Sequence, residues 1–564
     1  MKLESQFLKL HESSGGQQSL WVTLDELAAV FECTHRNALN IVKRMEAEEW
    51  ISWTPSRGRG RRSSLSFLAQ PETIAVQAMM QAMDRRDVRY AVDQIKVHAD
   101  TAELKEKLQG WLLTYFGHHT QVREDKQIDM LRLPVRQKLH TIDPLYMNLL
   151  AESFVSSHVY DGLVKRSDQD GIRPHLAHAW DVDESRTRWS FYLRKQVLFH
   201  NGTVLTAADV VHTFERLIGS PQRTLYRPII QGIKSVRALH PSVVLFELKE
   251  PNELFLPFLG TSRAAIVLKG EELPGKGGFG VKPAGTGPFK ITEMTEERFV
   301  LEVYNYHFQG RAHLDRVEII YVPWSEDSTD SLPEQQSPFH IIHSAESSGH
   351  GAWSRIHSEA SVCKFITVNS RKTGPLQDPD FRKAVLSVLR TTGVPDSLSG
   401  DARNPRNQSS APLKIATIAP YRQEAEQLAE LLGDNGYPST VNAVSPEQFK
   451  GAVRLEADLI LFSLMRDQDE QLRLFDLFET IAKHAETGIM AYIEHRLQRI
   501  AREPDPIARM EQFRTIESKL IRECHLHILY EKPFQTASLP SIRGVAFNSQ
   551  GWIDLRKVWF PPDL

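Results

Sequence analysis

Cysteine is scarce in this chain: three occur in 564 residues, Cys33, Cys363 and Cys524. They are far apart and odd in number. That argues against a disulfide framework and against a thiolate metal site, and it suits a reducing cytosol. An excess of one charge sign is also lacking. The formal net charge is −3, so contact with nucleic acid must come from a local basic patch. Long apolar runs are missing too: residues 319–322 and 459–462 are strand-sized, and nothing approaches a membrane-spanning helix. The first ten residues mix Lys2, Glu4 and Lys9 with apolar groups, with no signal-peptide core and no lipobox-like cysteine. A cytoplasmic protein without a membrane partner is expected. There is no internal repeat of fixed period.

What is present is ordinary for globular domains: 41% hydrophobic and 25% charged residues. The length is too great for one core. Residues 1–69 read as a small α-plus-hairpin unit. Residues 70–118 read as helical, with Ile74, Met79, Met83, Leu104 and Leu108 among the apolar positions. From 119 to 564 short strands alternate with helices, after a polar joint at 118–127. Within that region, 413–419, 440–444 and 458–464 read as strands, with helices at 421–435 and 446–453 between them. Such βαβαβ alternation implies a parallel sheet covered by helices. Residues 128–133, 189–193 and 243–248 read as further strands.

The N-terminal unit has a legible motif. Leu3, Phe7 and Leu10 share one face of a first helix. Thr23 with Glu26 three residues on is a capping box for a second helix. Thr34 can cap a third and counts with it among the candidate DNA contacts. In that third helix Ala38, Ile41, Val42 and Met45 fall on one arc, the core face. Arg36, Asn37, Asn40, Lys43 and Arg44 fall on the other. Such side chains read guanine and adenine edges or hold phosphates in a major groove. The bland alternative is a solvated helix face. The continuation argues against it. Strands at 50–54 and 63–67 flank Pro55-Ser56-Arg57-Gly58-Arg59-Gly60-Arg61-Arg62, in which four arginines alternate or pair with glycines. Glycines allow the turn, and Arg57, Arg59, Arg61 and Arg62 can meet phosphates or a minor groove. This is a wing.

The segment VTLDELAAVFECTHRNALNIVKRMEAEEWISWTPSRGRGRRSSLSFL resembles the N-terminal domain of SgrR-type regulators. These join a winged helix-turn-helix domain to a family 5 solute-binding domain. The second part of the resemblance rests on Ile142-Asp143-Pro144, SSHVYDGLV at 156–164, LAHAWDVDESRTRWSFYLRKQVLFHNGTVLTAADVVHTFERL at 176–217, PAGTGPFKI at 283–291 and VNSRKTGPLQDPDFRKAVLSVL at 368–389. The tail GWIDLRKVWFPPDL is similar to the end of SgrR-type chains in particular. The resemblance covers nearly the whole chain. It implies a multidomain fold: an N-terminal winged helix, mainly α with a small hairpin, and a two-lobed α/β periplasmic-binding-protein-like domain of type II.

The blocks themselves read as scaffold. Thr206 caps a helix near Ala207, with Asp209 in its first turn. Gly285 and Gly287 suggest a tight bend around Thr286. Two loops are candidates for the ligand cleft: Tyr160-Asp161, and Tyr421-Arg422 after Pro420, where a helix N-terminus and an arginine could hold an anion or a sugar hydroxyl. For the second, a plain surface loop is the competing reading.

Other motifs carry less. Residues 275–280 match G-x-G-x-x-G, but no strand precedes them, so a flexible loop is expected. Residues 181–185 begin like a calcium loop, yet Arg186 replaces the required glycine, so a strand-connecting turn is expected. His525 and His527 share a strand face without a third ligand, and His118-His119 lie in the joint. These read as packed or solvated. No G-x-S-x-G, Walker motif or Cys/His/Asp constellation is present. No enzyme activity, cofactor or metal is expected.

Two functions compete. One is a ligand-responsive transcription factor with DNA as partner and RNA polymerase as a further contact. The other is the substrate-binding component of an ABC-type peptide or sugar transporter. The missing secretion signal and the complete winged helix favour the regulator. The resemblance implies a sugar or sugar-phosphate ligand; family 5 domains also bind peptides and nickel. The apolar positions of 70–118 fit either a homodimer or docking on the large domain.

Overall fold

The computed structural model describes residues 3–56, 61–84, 116–123, 126–135, 138–147, 150–167, 171–220, 224–271, 282–321, 354–389, 411–449, 451–467, 469–538, 543–544 and 553–561, and every structural statement concerns these. Two compact units meet in sequence between Gly117 and His118.

The first unit contains α1 (Leu3–Ser13), β1 (Ser19–Val22), α2 (Leu24–Val30), α3 (His35–Ala47), β2 (Ile51–Thr54), β3 (Ser63–Phe67) and α4 (Pro71–Asp84). The strands form an antiparallel sheet in the order β1-β3-β2. Alternation buries Ile51, Trp53, Leu65 and Phe67 from one face of the hairpin. They meet Phe7, Leu27, Phe31, Ala38, Ile41, Val42 and Met45 in one core. Ile74 and Ala75 of α4 complete it, so this helix is built into the winged-helix unit. The hairpin expected at 50–54 and 63–67 is present. β1, a four-residue strand, is too short for its alternation to register in the sequence. Residues 85–115, with most of the expected helical extension, lie outside the described residues.

The second unit is the two-lobed α/β domain. A five-stranded sheet in its first lobe runs β12-β13-β14-β5-β4, formed by β4 (Gly117–Arg123), β5 (Lys126–Val135), β12 (Phe289–Met294), β13 (Arg298–Val303) and β14 (Arg316–Tyr321). Helix α5 (Leu150–Val159) precedes a two-stranded ribbon, β6 (Val164–Ser167) and β7 (Gly171–Pro174). An antiparallel four-stranded sheet follows in the order β10-β11-β9-β8, from β8 (Ala177–Val182), β9 (Arg188–Leu193), β10 (Ile233–His240) and β11 (Val243–Leu248). Helix α6 (Ala207–Gly219) buries Val210, Phe214 and Leu217 in that lobe's core. Its cap forms as expected, with Asp209 accepting the Thr206 amide at 2.8 Å.

The second lobe is built on β17-β16-β18-β15-β19, formed by β15 (Ser354–Val368), β16 (Leu413–Ile418), β17 (Ser439–Val444), β18 (Leu459–Arg466) and β19 (Leu526–Ser538). β16 pairs in parallel with β17 and with β18, as the βαβαβ pattern requires. The long β15 runs antiparallel to β18 and β19 and makes the sheet mixed. Helices α7 (Pro379–Leu389) and α8 (Arg422–Asp434) cover one face, burying Val385, Leu386, Leu428 and Leu432 against Ile366, Ile415 and Leu461. Helices α9 (Glu470–Ala482), α10 (Thr487–Arg502) and α11 (Pro506–Arg522) follow β18. Phe475, Phe478, Ile493 and Ile516 from them join a core that also holds Trp189, Phe246 and Phe258 of the first lobe. Among the described residues no helix is long and apolar enough to cross a membrane.

Candidate functional site

In the first unit the third helix starts where Thr34 places it. The Thr34 side chain accepts the Asn37 amide at 3.4 Å, which sets the helix start and leaves its own O–H as a donor. Ala38, Ile41, Val42 and Met45 are buried, while Arg36, Asn37, Asn40, Lys43 and Arg44 are all exposed. Among the described residues the side chains of Arg36, Asn40, Lys43 and Arg44 have no hydrogen-bond or ion-pair partner, so their donors face outward, available to a ligand. The helix is braced from behind: Glu46 accepts the Trp53 amide at 3.3 Å, and His35 reaches Asp25 of α2 at 2.5 Å. These bracing roles are not legible in the sequence, because the partners lie on other elements.

The wing is described only at its root. Arg57 and Arg59 lie outside the described residues. Arg61 is exposed and Arg62 donates to Glu26 at 3.3 Å. Glu26 also closes the expected capping box on Thr23. The hydrogen bond from the Thr23 backbone, aided by Arg62, holds its carboxyl below the usual range.

In the second unit the signature blocks converge on a buried polar hub rather than on an open pocket. Asp161 accepts from His175 Nε2 at 2.7 Å and from Thr286 Oγ1 at 3.0 Å, with His307 at 3.6 Å. Gln309 donates to His175 Nδ1 at 3.1 Å, which fixes the neutral tautomer with its proton on Nε2. Burial works against the charged form of Asp161, yet these donors outweigh it and hold the carboxyl well below its ordinary value. Tyr160 is buried beside it, and burial raises its phenol.

The bend expected around Thr286 is present, and Gly285 and Gly287 also allow close backbone approach. A Cβ at Gly285 would stand 1.8 Å from the Val159 carbonyl oxygen, and one at Gly287 2.6 Å from that of His158. His200 locks the same loop, accepting from the Gly285 amide at 3.1 Å and donating to the Gly287 carbonyl at 2.9 Å.

Of the candidates for the cleft, Tyr160 and Asp161 are buried, and Tyr421 and Arg422 stand where β16 leads into α8, as expected. Asp161 spends its oxygens inside the first lobe. Tyr421 donates to or accepts from Ser463 at 2.7 Å, and its ring lies under Lys364 Nζ, which pairs with Glu424 at 2.8 Å. Arg422 is exposed and near Glu426 at 3.6 Å. Two surface cavities lie elsewhere, one of about 510 Å³ lined by Tyr492, Met510 and Lys519, one of about 460 Å³ lined by His178, Tyr192 and Phe308.

The minor motifs fall into place. Residues 183–187 form the turn between β8 and β9, with Asp183 accepting the Thr187 and Arg188 amides at 3.0 Å each and Arg186 at φ 55°. His525 is packed beside Ser370 at 3.3 Å. His118 stacks on Phe560 with ring centroids 3.5 Å apart. Residues 275–280 lie outside the described residues.

Residues 171–473 match the bacterial extracellular solute-binding proteins, family 5. The chain belongs to that family. To this family 5 domain it adds, over residues 2–121, a match to the N-terminal domain of the sugar transport-related sRNA regulators. It is 26% identical over 578 residues to an uncharacterised protein, YhjP, of Bacillus subtilis, covering 95% of this chain and 96% of that one. It is 25% identical to the HTH-type transcriptional regulator SgrR of Pectobacterium atrosepticum, covering 100% of this chain and 99% of SgrR. Among solved structures, the family 5 fold is shared with the periplasmic binding protein DppA of Helicobacter pylori in complex with the peptide STSA. The TM-score is 0.60 at 18% identity, over 76% of this chain and 98% of DppA.

Proposed function

We propose that the chain is a ligand-responsive, DNA-binding transcriptional regulator of the cytoplasm. Its winged helix binds duplex DNA, and its family 5 domain senses a small solute, a sugar, sugar phosphate or peptide. The observation that carries this reading is the outward face of α3, with Arg36, Asn37, Asn40, Lys43 and Arg44 exposed on a rigid, capped helix. A purely transport-linked binding protein has no use for such a face. Arg36, Asn37 and Asn40 are assigned to base edges, and Lys43, Arg44 and the wing arginines Arg57, Arg59, Arg61 and Arg62 mainly to phosphates. The full-length likeness to a protein named a transcriptional regulator supports the same reading.

The test is selection of duplexes from a random-sequence library on the full chain, followed by gel shifts with the enriched duplex. Replacing Arg36 or Asn40 by Ala should weaken that duplex by ~1–3 kcal/mol and relax sequence preference. An Arg36→Ala/Asn40→Ala protein that binds like the wild type would refute the helix assignment. Thermal shift of the full chain against sugars, sugar phosphates and short peptides tests the sensing half, because a ligand of the native state raises its stability.

A further inference from the structure

The tail at 553–561 is the signature block that the hub does not explain. It is not a loose end. Asp554, Leu555, Val558 and Phe560 are buried. The Leu555 amide donates to His158 Nε2 at 3.2 Å, while His158 Nδ1 donates to the Phe154 carbonyl at 2.8 Å. Both imidazole nitrogens are therefore used. Arg556 is gripped by Asp554 through bonds of 2.9 and 2.6 Å and donates to Gln309 at 3.3 Å. Gln309 in turn holds His175, the partner of Asp161. One end of the tail is thus tied to the hub from two sides.

The other end reaches a different place. Phe560 lies flat on His118, with planes 6° apart. His118 directly follows Gly117, where the N-terminal unit ends in sequence. The chain arrives at the tail from β19, a strand of the second lobe, and Arg543 pairs with Trp559 on the way. Gly544, at φ 67°, allows that pairing: a Cβ there would stand 1.9 Å from the Lys557 carbonyl oxygen.

We propose that residues 553–561 are a strap that carries the state of the solute-binding domain to its joint with the N-terminal unit, through the stack of Phe560 on His118. A shift of the second lobe reaches the strap through Arg543, which pairs with Trp559, and a rearranged hub shifts Leu555 and Arg556. Either way Phe560 slides on His118, the first residue after the joint. The coupling is reciprocal, so DNA bound to the N-terminal unit must be felt in the strap. The inference rests on the regulator reading above.

Reciprocity allows a test without knowing the solute. The probe is the duplex enriched by the full chain from the random library, and the readout is amide hydrogen exchange of the full chain. Saturating duplex should change exchange at Leu555 and Val558 by roughly 5-fold or more in the wild type. Phe560→Tyr keeps the stacked ring and should respond alike. Phe560→Ala should bind the duplex and lose the response. His118→Ala, which leaves the buried tail intact, should lose it too, and the double variant should add nothing. A wild-type strap unmoved by bound duplex overturns the proposal, as does a response that survives in His118→Ala. Failure to enrich any duplex overturns the DNA-binding reading itself, and the strap's role falls with it.

Discussion

Arg62 of the wing donates to Glu26 of α2 at 3.3 Å, through a carboxylate that also accepts the Thr23 amide at 2.8 Å. One exposed acid therefore caps a helix and restrains a wing arginine. Glu26→Gln should keep the cap, since glutamine serves in a capping box. It should release Arg62 toward phosphate. Thermal stability is expected to change little, since an exposed ion pair contributes little. The slope of log affinity against log salt should steepen by about one contact. Fluorescence anisotropy over a salt series reads this, and an unchanged slope would show that Arg62 never meets the duplex.

Arg61 makes the opposite case, because it is exposed with no partner among the described residues. Arg61→Ala should weaken all duplexes alike and flatten the salt slope by about one. Loss confined to the enriched sequence would place Arg61 on a base edge instead.

What the sequence made legible was what short-range chemistry controls. Thr23, Thr34 and Thr206 announced helix starts through spacing alone. The arc of Ala38, Ile41, Val42 and Met45 gave the buried face of α3, and the runs around β16, β17 and β18 gave a parallel arrangement. Long-range partnerships were not legible. The close approach at Gly285 was not legible because Val159, the group it meets, is far away in the chain. Tyr421 looked available because nothing near it in sequence reveals Lys364, which covers its ring. Asp161 looked like a cleft acid until His175 and Thr286 filled its acceptor sites. The folded context, not residue type, decides whether a polar side chain is free.

The two signature glycines should be intolerant of even one methyl group. At Gly285 and Gly287 the obstacle is backbone, which cannot swing aside as a side chain can. Ala at either position should cost about 3 kcal/mol or more, the upper end of overpacking. Gly433→Ala, in α8 with nothing within 4 Å, should be neutral or stabilising by up to ~1 kcal/mol. Urea unfolding of the three variants checks the contrast, and equal costs would mean that the loop at 285–287 can yield.

Acid should destabilise the solute-binding domain before most of its carboxylates titrate. His158 and His200 each use one ring nitrogen as donor and the other as acceptor, so an added proton has no place in either. Burial pushes both down to about 4. In the unfolded chain an imidazole titrates near 6.5. Between about 6.5 and 4 the unfolded state therefore binds the extra protons, and native stability falls as pH falls. The slope is about 1.4 kcal/mol per pH unit for each imidazole. Asp469 works the other way, since burial and Asp467 push it up to about 6. Below its unfolded value, near 3.8, that gain is complete, and between there and 6 it offsets one imidazole. Asp161 and Asp554, both held low, contribute stability that is lost only below the unfolded carboxylate value, outside this window. Urea unfolding at intervals from pH 7 to 4.5 should show the decline. His158→Gln removes one titration, so its stability, though lower at pH 7, should fall less steeply by about one proton. Parallel curves for the two proteins would mean that His158 is already charged in the native state, and the Leu555 amide would then need another acceptor.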